Sequence, residues 1–483
     1  MRVLFVASEC YPLVKTGGLA DVVGALPLAL KLLGCDVRVL LPGYPSVLAG
    51  LHDVTVADTR EELFGGPVQL LHGQTVDGLD VFALEAAHLY DRPGNPYLGG
   101  DGRDWPDNPR RFAALCRIGA DIGLGAAGGW VPDIVHGHDW QAGLTSAYLV
   151  AAGETRPATV FTIHNIAYQG LCGLHAYGGF GLPASFFGHS GLEYYGQTSF
   201  LKAGLVFSDH LTTVSPTYAR ELRTSEFGLG LEGVLNERAG VLSGILNGID
   251  LDVWNPETDT QIAETYSASK LQRKAASKAK AQAMLGLAPD PKALLFCVVS
   301  RMTPQKGLDL LLPLIGDIVA RGGQLAVLGS GDIGLERAFT EAARNWPGRV
   351  GVYLGYNEEA SHLLQAGADA IVIPSRFEPC GLTQLYGLRY GTVPIVARTG
   401  GLADTVIDAN DAAIQAGVAT GLQFAPVTAA GLGFALERAF DLFADRESWR
   451  RIQRRGMGHP VGWELSAARY VELYRSLLGS DGA

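Results

Sequence analysis

Short apolar runs alternate with helix-like stretches along the first forty residues. The run Val3–Ala7 is followed by a glycine-containing loop, a helix-like stretch at Ala20–Leu33 and a second apolar run at Asp36–Leu41. Short, continuously apolar strands are typical of a parallel sheet covered on both faces, because such strands have no solvated side. The pattern therefore predicts a βαβ unit.

Two further apolar runs in the first half of the chain end in polar clusters. Residues 134–136 lead into His-Asp-Trp at 138–140, and residues 159–163 lead into His-Asn at 164–165. Ligands of α/β sheets bind at the carboxyl ends of strands. Imidazole, carboxylate, amide and aromatic groups together suit a sugar, whose hydroxyls need directional partners and whose ring faces stack on aromatics.

Turn-forming residues interrupt this rhythm near residue 250, and a lysine- and alanine-rich stretch follows. The βαβ rhythm then restarts, which predicts two doubly wound Rossmann-like domains. We expect the domains at residues 1–250 and 251–459, with a terminal segment at 460–483 that contains an amphipathic helix and packs back on the first domain. The elements predicted in the second half are strands at 293–300, 324–328, 350–354 and 370–374 and a helix at 307–320.

Length and composition favour a two-domain globular protein. The chain has 483 residues, of which 47% are hydrophobic and 18% charged, so its composition is not that of a disordered protein. Acidic residues outnumber basic ones by 49 to 38, and no long basic run is present. We therefore expect neither a nucleic acid nor an anionic membrane as a partner.

The six cysteines are scattered without a CxxC pair or a metal-ligand spacing. They predict reduced thiols, with no disulfide framework and no metal site. The apolar run at Val3–Ala7 is too short for the core of a signal peptide, and no apolar stretch reaches the roughly 18–20 residues that span a bilayer. We expect a cytoplasmic location.

A Lys-Thr-Gly-Gly segment at residues 15–18 follows the first strand and opens a helix. Amides at a helix start, together with the charge of Lys15, are suited to an anion, although a plain surface turn is the alternative. The spacing is neither a Walker A motif nor a GxGxxG motif.

Residues 16–23 recur as residues 399–406 with seven of eight positions matching, which indicates either two related halves or a chance similarity.

Arg301 and Lys306 lie just beyond the strand that opens the second domain. Two cations at a strand end can reach the phosphates of a nucleoside diphosphate, and an ordinary solvated loop is the alternative.

Another loop, residues 375–384, combines Glu378 with a predicted helix start at residues 381–383, so it can hold a sugar hydroxyl and a phosphate. No base accompanies Cys380 at a recognisable spacing, which favours a buried thiol over a nucleophile.

Taken in order, these segments resemble those of bacterial glycogen synthases and plant starch synthases, which are GT-B glycosyltransferases. The resemblance covers nearly the whole chain and rests on motifs at residues 15–22, 91–97, 138–140, 164–170, 247–250, 300–301, 305–307 and 378–384.

The resemblance implies two Rossmann-like domains facing a deep cleft, with ADP-glucose in the cleft as the donor. It further implies that glucose is transferred, with retention, to the non-reducing end of an α-1,4-glucan such as glycogen, without a cofactor. The catalytic residues it implies are Asp139, His164, Arg301, Lys306 and Glu378. The substrate-binding residues are Glu9, Lys15, Gly17, Gly18, Asp21, Tyr97, Asn165, Asn247, Tyr356, Cys380, Gly381, Leu382 and Thr383, with Tyr356 at the position that stacks on adenine.

One departure from the wider superfamily and three alternatives remain. Many relatives carry a second glutamate eight residues after the first, where this chain has Tyr386, as do the glycogen and starch synthases. No nucleophile is evident, which favours front-face attack over double displacement. The alternatives are UDP-glucose as the donor, a non-catalytic glucan-binding protein, and a glucan phosphorylase, whose pyridoxal phosphate segment has no counterpart here.

Overall fold

The computed structural model describes residues 1–479 and divides into two compact units. The first unit comprises Met1–Asn247 together with the segment that begins at Trp463, and the second comprises Gly248–Gly462.

The first unit is built on a nine-stranded sheet with the order β12-β11-β7-β6-β1-β2-β5-β4-β3. Its strands are parallel except at β3–β4 and β4–β5, and a small separate sheet has the order β8-β10-β9. The strands are β1 (Arg2–Val6), β2 (Asp36–Pro42), β3 (His52–Arg60), β4 (Val68–Gln74), β5 (Asp80–Glu85), β6 (Ile134–His138), β7 (Ala158–Ile163), β8 (Leu171–Gly173), β9 (Glu193–Tyr194), β10 (Gln197–Ser199), β11 (His210–Thr213) and β12 (Leu242–Gly244).

Helices cover both faces of this sheet and leave its central strands fully buried, as the apolar runs predict. They are α1 (Gly18–Leu32), α2 (Pro45–Ala49), α3 (Ala87–Tyr90), α4 (Asn108–Gly123), α5 (Leu144–Ala152), α6 (Leu174–Tyr177), α7 (Phe200–Phe207), α8 (Pro216–Glu221) and α9 (Glu232–Glu237).

The second unit has a six-stranded, all-parallel sheet. Its strands are β13 (Leu295–Val299), β14 (Gln324–Gly329), β15 (Val350–Leu354), β16 (Ala370–Ile373), β17 (Val393–Ala397) and β18 (Leu422–Phe424). The order β15-β14-β13-β16-β17-β18 is the doubly wound order of a Rossmann fold. The helices are α10 (Lys274–Met284), α11 (Ile315–Ala320), α12 (Ile333–Asn345), α13 (Glu358–Gly367), α14 (Thr383–Tyr390), α15 (Gly400–Thr405), α16 (Asp411–Gln415), α17 (Ala429–Ala444) and α18 (Arg446–Met457).

The helix predicted at residues 307–320 is mostly wrong. The structure has 3₁₀ turns at residues 304–306, 308–310 and 312–314, and α11 begins only at Ile315. Gly307 takes a left-handed conformation with φ of 63°, and Pro313 cannot donate a backbone hydrogen bond inside a helix. The apolar pattern of the segment is therefore satisfied by short turns.

The last helix, α19 (Glu464–Leu477), belongs to the first unit. The Tyr474 hydroxyl lies 2.7 Å from Nδ1 of His136 on β6, and the Ser466 hydroxyl donates to the carbonyl of Leu246. The chain thus returns to the sheet at which it began.

Each sheet has a point where the strand order reverses, and this is where doubly wound proteins bind ligands. In the first unit it lies between β1 and β6, whose carboxyl ends lead to Glu9 and Asp139. In the second unit it lies between β13 and β16, whose carboxyl ends lead to Arg301 and Glu378.

Candidate active site

Glu9 organises the reversal point of the first unit. Its side chain is buried and accepts hydrogen bonds from the Thr16 hydroxyl at 2.6 Å, from the Thr16 and Gly17 amides and from the Tyr97 hydroxyl. The Tyr97 hydroxyl also lies 2.8 Å from the Ser8 hydroxyl. Burial and the neighbouring Glu9 carboxylate raise the pKa of Tyr97 well above its ordinary value, so Tyr97 remains a neutral hydrogen-bond donor.

The loop at the start of α1 is therefore already bound to a carboxylate of the chain itself. The Gly17 amide, expected from the sequence to face a ligand, lies 3.2 Å from Glu9 Oε2. The Lys15 ammonium forms an ion pair with Asp21 at 2.7 Å, and both side chains are partly exposed. Gly18 is exposed. The ligand contacts of this loop remain predictions.

Asp139 follows β6 in a backbone conformation that is unusual for a residue with a side chain. Its φ is 57°, its ψ is −176° and it is buried, a combination that is found preferentially at functional sites. Its Oδ1 accepts hydrogen bonds from the backbone N–H groups of His164, at 2.7 Å, and Asn165. Burial and, to a smaller extent, the neighbouring Glu9 raise the pKa of Asp139 to about 7 despite these hydrogen bonds.

His164 follows β7 and meets His138 at the end of β6. His164 Nε2 lies 3.0 Å from His138 Nδ1, and burial lowers the pKa of His164 to about 3. Its imidazole is therefore neutral at physiological pH, with one ring nitrogen that donates and one that accepts.

The remaining first-unit candidates occupy different settings. Asn165 closes a turn in which its side chain accepts from the Ala167 amide at 3.0 Å. The side-chain oxygen of Asn247 is buried and has no hydrogen-bond partner among the described residues. A buried oxygen is normally paired with a hydrogen-bond donor, so the ligand contact predicted for Asn247 would supply the donor that this oxygen lacks.

Lys306 and Glu378 form an ion pair in the second unit. Lys306 Nζ lies 2.6 Å from Glu378 Oε2, which also accepts from the buried Ser375 hydroxyl at 2.8 Å. The backbone N–H of Arg376 donates to the Gln305 carbonyl at 2.8 Å, so the loops after β13 and β16 are fastened together. Tertiary structure thus joins two segments that lie 72 residues apart in sequence.

Unused donors lie on the same two loops. The Arg301 side chain is exposed and makes no hydrogen bond or ion pair with residues 1–479. At the start of α14, the amides of Gly381, Leu382 and Thr383 find no acceptor in the described part of the chain, and Leu382 caps the helix without a side-chain bond. A cation and free helix-start amides are the groups that phosphates bind.

Tyr356 and Cys380 differ sharply in exposure. The Tyr356 ring is 74% exposed, with its hydroxyl 2.9 Å from a Glu358 carboxylate oxygen, so a face is open for stacking. Cys380 is buried, and its carbonyl accepts from the side chain of Gln384 at 2.9 Å. The buried-thiol interpretation of Cys380 is confirmed, which leaves only its backbone for contact with a ligand.

Four residues support these groups without having been assigned a role from the sequence, although His138 belongs to the polar cluster at 138–140. Ser375 donates to the Glu378 carboxylate and Ser8 pairs with the Tyr97 hydroxyl, while His138 and His136 connect His164 to α19. The two histidines occupy alternate positions of a buried strand, and a polar pair on one face of an otherwise apolar strand was the available signal.

None of the helices among residues 1–479 has the length and apolarity needed to cross a bilayer.

Two family models match the chain. The model of the starch synthase catalytic domain covers residues 2–237, and the model of glycosyl transferases group 1 covers residues 283–454. The glycogen synthase of Roseobacter denitrificans is 57% identical over 479 residues, with 99% of this chain and all of that protein covered. The glycogen synthase of Methylocella silvestris is also 57% identical, with 99% of both chains covered.

Two solved glycosyltransferase structures are similar in fold to this chain. The catalytic domain of starch synthase IV from Arabidopsis thaliana, bound to ADP and acarbose, superposes with a TM-score of 0.89 at 34% identity, with 99% of each chain covered. Sucrose-phosphate synthase from Thermosynechococcus elongatus has a TM-score of 0.60 at 18% identity, which shows a shared GT-B fold. The chain belongs to the glycogen synthase family of GT-B glucosyltransferases.

Proposed function

We propose that this enzyme transfers glucose from ADP-glucose to the non-reducing end of an α-1,4-glucan, with retention of configuration. The proposal rests on the pair of loops after β13 and β16, which combine Lys306 and Glu378 with the Arg301 side chain and the amides of residues 381–383, neither of which has a partner within residues 1–479. The starch synthase bound to ADP and acarbose supports the choice of an adenine nucleotide and a glucan.

The cations and amides of these two loops are suited to stabilise the leaving group electrostatically. Departure of ADP places negative charge on the diphosphate while the sugar becomes positively charged. Arg301, Lys306 and the amides of residues 381–383 would meet the diphosphate charge, and the Glu378 carboxylate would stabilise the sugar. Lys306 already lies against Glu378, so both charges are positioned before the substrate binds.

Adenine recognition is assigned to Tyr356, whose ring is mostly exposed. Stacking on an aromatic face tolerates different bases, so this contact alone discriminates poorly between ADP-glucose and UDP-glucose.

In the first unit, we assign sugar and acceptor contacts to Asp139, His164, Asn165 and Tyr97. The first two lie at the ends of adjacent parallel strands and are joined by a hydrogen bond. A neutral His164 offers directional hydrogen bonding to a hydroxyl, and the raised pKa of Asp139 allows it to donate as well as accept near neutral pH.

Retention is assigned to front-face attack, in which the acceptor hydroxyl gives its proton to the departing phosphate. A covalent glucosyl adduct on Glu378 or Asp139, detected by mass spectrometry after mixing enzyme and donor without acceptor, would establish double displacement instead.

We also propose that the enzyme acts in the cytoplasm without a nucleic acid partner. The excess of 49 acidic over 38 basic residues supports the second part, because phosphate backbones are bound by basic surfaces.

Glucose transfer to glycogen, measured with ADP-glucose and UDP-glucose in parallel, tests the proposal. We expect ADP-glucose to give the higher kcat/KM. Lys306→Ala should lower kcat roughly a hundredfold, about 3 kcal/mol, the usual value of one transition-state donor. Lys280→Ala, which removes an exposed ion pair with Glu359 in the same unit, is the matched control and should retain wild-type kcat. Inactivity with both donors, or near-normal turnover by Lys306→Ala, would contradict the proposal.

A further inference from the structure

Three histidines form a connected chain in the first unit. His136 and His138 lie on the same face of β6 with ring centroids 4.2 Å apart, and His138 Nδ1 lies 3.0 Å from His164 Nε2. At the other end, the two ring nitrogens of His136 lie 2.7 Å from the Tyr474 hydroxyl and 2.6 Å from the Thr162 hydroxyl.

All three imidazoles are neutral, because burial lowers the pKa of each. A neutral imidazole has one nitrogen that donates and one that accepts. The hydrogen bond between His138 and His164 therefore has two possible directions, and each direction fixes the tautomers of both rings.

The other nitrogen of His138 decides between the two directions. His138 Nε2 is buried and has no hydrogen-bond partner among residues 1–479. If His138 accepted at Nδ1, its proton would sit on Nε2 as a buried N–H without an acceptor. If His138 donates from Nδ1, only a lone pair is left unpaired, and buried unpaired acceptors are less rare than buried unpaired N–H groups. His138 thus donates to His164.

The proton of His164 then lies on Nδ1. This atom has no partner within the described residues and is not buried, and the backbone N–H of the same residue is held by Asp139 at 2.7 Å. The backbone N–H of His164 is bound by Asp139 and its Nε2 is bound by His138. The Nδ1–H is therefore the one polar group of the ring that has no partner among residues 1–479.

We propose that His138 is a positioning residue that holds His164 in the Nδ1–H tautomer, so that the neutral His164 ring presents one N–H donor to an oxygen of the bound sugar. The identification of a sugar oxygen as the hydrogen-bond acceptor rests on the proposed function. The tautomer of His164 does not depend on it. His164 then acts as a hydrogen-bond donor at neutral pH and transfers no proton to the substrate.

Two substitutions separate positioning from packing. His138→Asn keeps an N–H close to the position of Nδ1, and His138→Leu keeps apolar bulk but has no donor. We expect His138→Asn to retain kcat within about threefold and His138→Leu to lose about tenfold, the value of one hydrogen bond, with the KM for ADP-glucose little changed. His210→Asn, which alters a half-buried histidine bonded to Ser243 in the same unit, is the control and should match the wild type.

The tautomer is measured directly by ¹⁵N NMR of ¹⁵N-histidine-labelled protein at pH 7, with the His164 signals identified by their loss in His164→Gln. We expect a protonated Nδ1 and a bare Nε2 in the wild type, and a mixture of tautomers in His138→Leu. A protonated Nε2, an imidazolium, or an unchanged tautomer with unchanged kcat in His138→Leu would overturn the inference. An inactive wild type with the Nδ1–H tautomer would overturn the proposed function and leave the inference on His138 standing. If His138→Leu does not fold, the wild-type spectrum alone decides.

Discussion

The sequence Thr-Gly-Gly-Leu-Ala-Asp occurs at residues 16–21 and again at residues 399–404, and its two copies have different surroundings. Both precede or open a helix, α1 in the first unit and α15 in the second. In the first copy Gly17 is partly exposed, and a Cβ added there would meet no atom within 4 Å. In the second copy Gly401 is buried, and an added Cβ would lie 2.3 Å from the backbone oxygen of Cys380.

The partners of the two loops explain the difference. The first loop is held by a side chain, because Glu9 accepts from the Thr16 and Gly17 amides. The second loop itself holds another loop, because the Gly401 amide donates to the carbonyls of Glu378 at 3.0 Å and Pro379 at 3.1 Å. The first copy is therefore held by one side chain, while the second holds the backbone of Glu378 and Pro379 in place.

Alanine at the two glycines gives the largest expected contrast. Gly401→Ala forces its methyl group against backbone atoms, so we expect a loss of about 2 kcal/mol in the free energy of unfolding and at least a tenfold loss of kcat as Glu378 is displaced. Gly17→Ala has space and an extended φ of −155°, so its stability should change by less than about 0.5 kcal/mol. Urea titration and glucosyl-transfer assays check both variants, and equal stability losses would refute the contrast.

Glu9→Gln tests the support of the first loop. A carboxylate can accept from all of its partners, whereas the amide nitrogen of glutamine would face an N–H donor. We expect kcat/KM to fall about tenfold, in line with the loss of one hydrogen bond to a charged group. Glu62→Gln is a matched control, because the Glu62 carboxylate also accepts from a loop amide, that of Gly65 at 2.6 Å, but on the exposed surface. A comparable loss in the control would show that the effect is not specific to this loop.

The pH dependence of stability gives the smallest expected effect. Burial raises the pKa of Asp139 from 3.8 to about 7, so between these values the native protein binds a proton that the unfolded chain has lost. The resulting stabilisation is fully present below pH ~4 and is lost as the pH rises to ~7. Asp139→Asn removes it, so on acidification from pH 7 to 6 this variant should lose about 1 kcal/mol more stability than the wild type.

Urea titrations at pH 7 and pH 6 measure this difference. The same substitution at the exposed Asp411 serves as the control and should leave the pH dependence parallel to that of the wild type. Parallel behaviour of Asp139→Asn would show that Asp139 is ionised in the native protein.

Strands were the most predictable part of the fold. The predicted runs at 36–41, 350–354 and 370–374 match β2, β15 and β16 to within one residue at each end, because strands buried on both faces must be continuously apolar. The segment 307–320 was the least predictable, because its apolar residues fit a helix equally well but Gly307 and Pro313 favour tight turns.

The sequence by itself determined the family, the two doubly wound sheets and the candidate loops, because periodicity, strand ends and motif order are properties of neighbouring residues. Only the tertiary structure decided which groups are already occupied. It paired Glu9 with the first glycine loop and Lys306 with Glu378, and it placed His138 beside His164. These contacts join residues on separate strands and loops, and parallel strands are connected through helices, so partners that touch lie far apart along the chain.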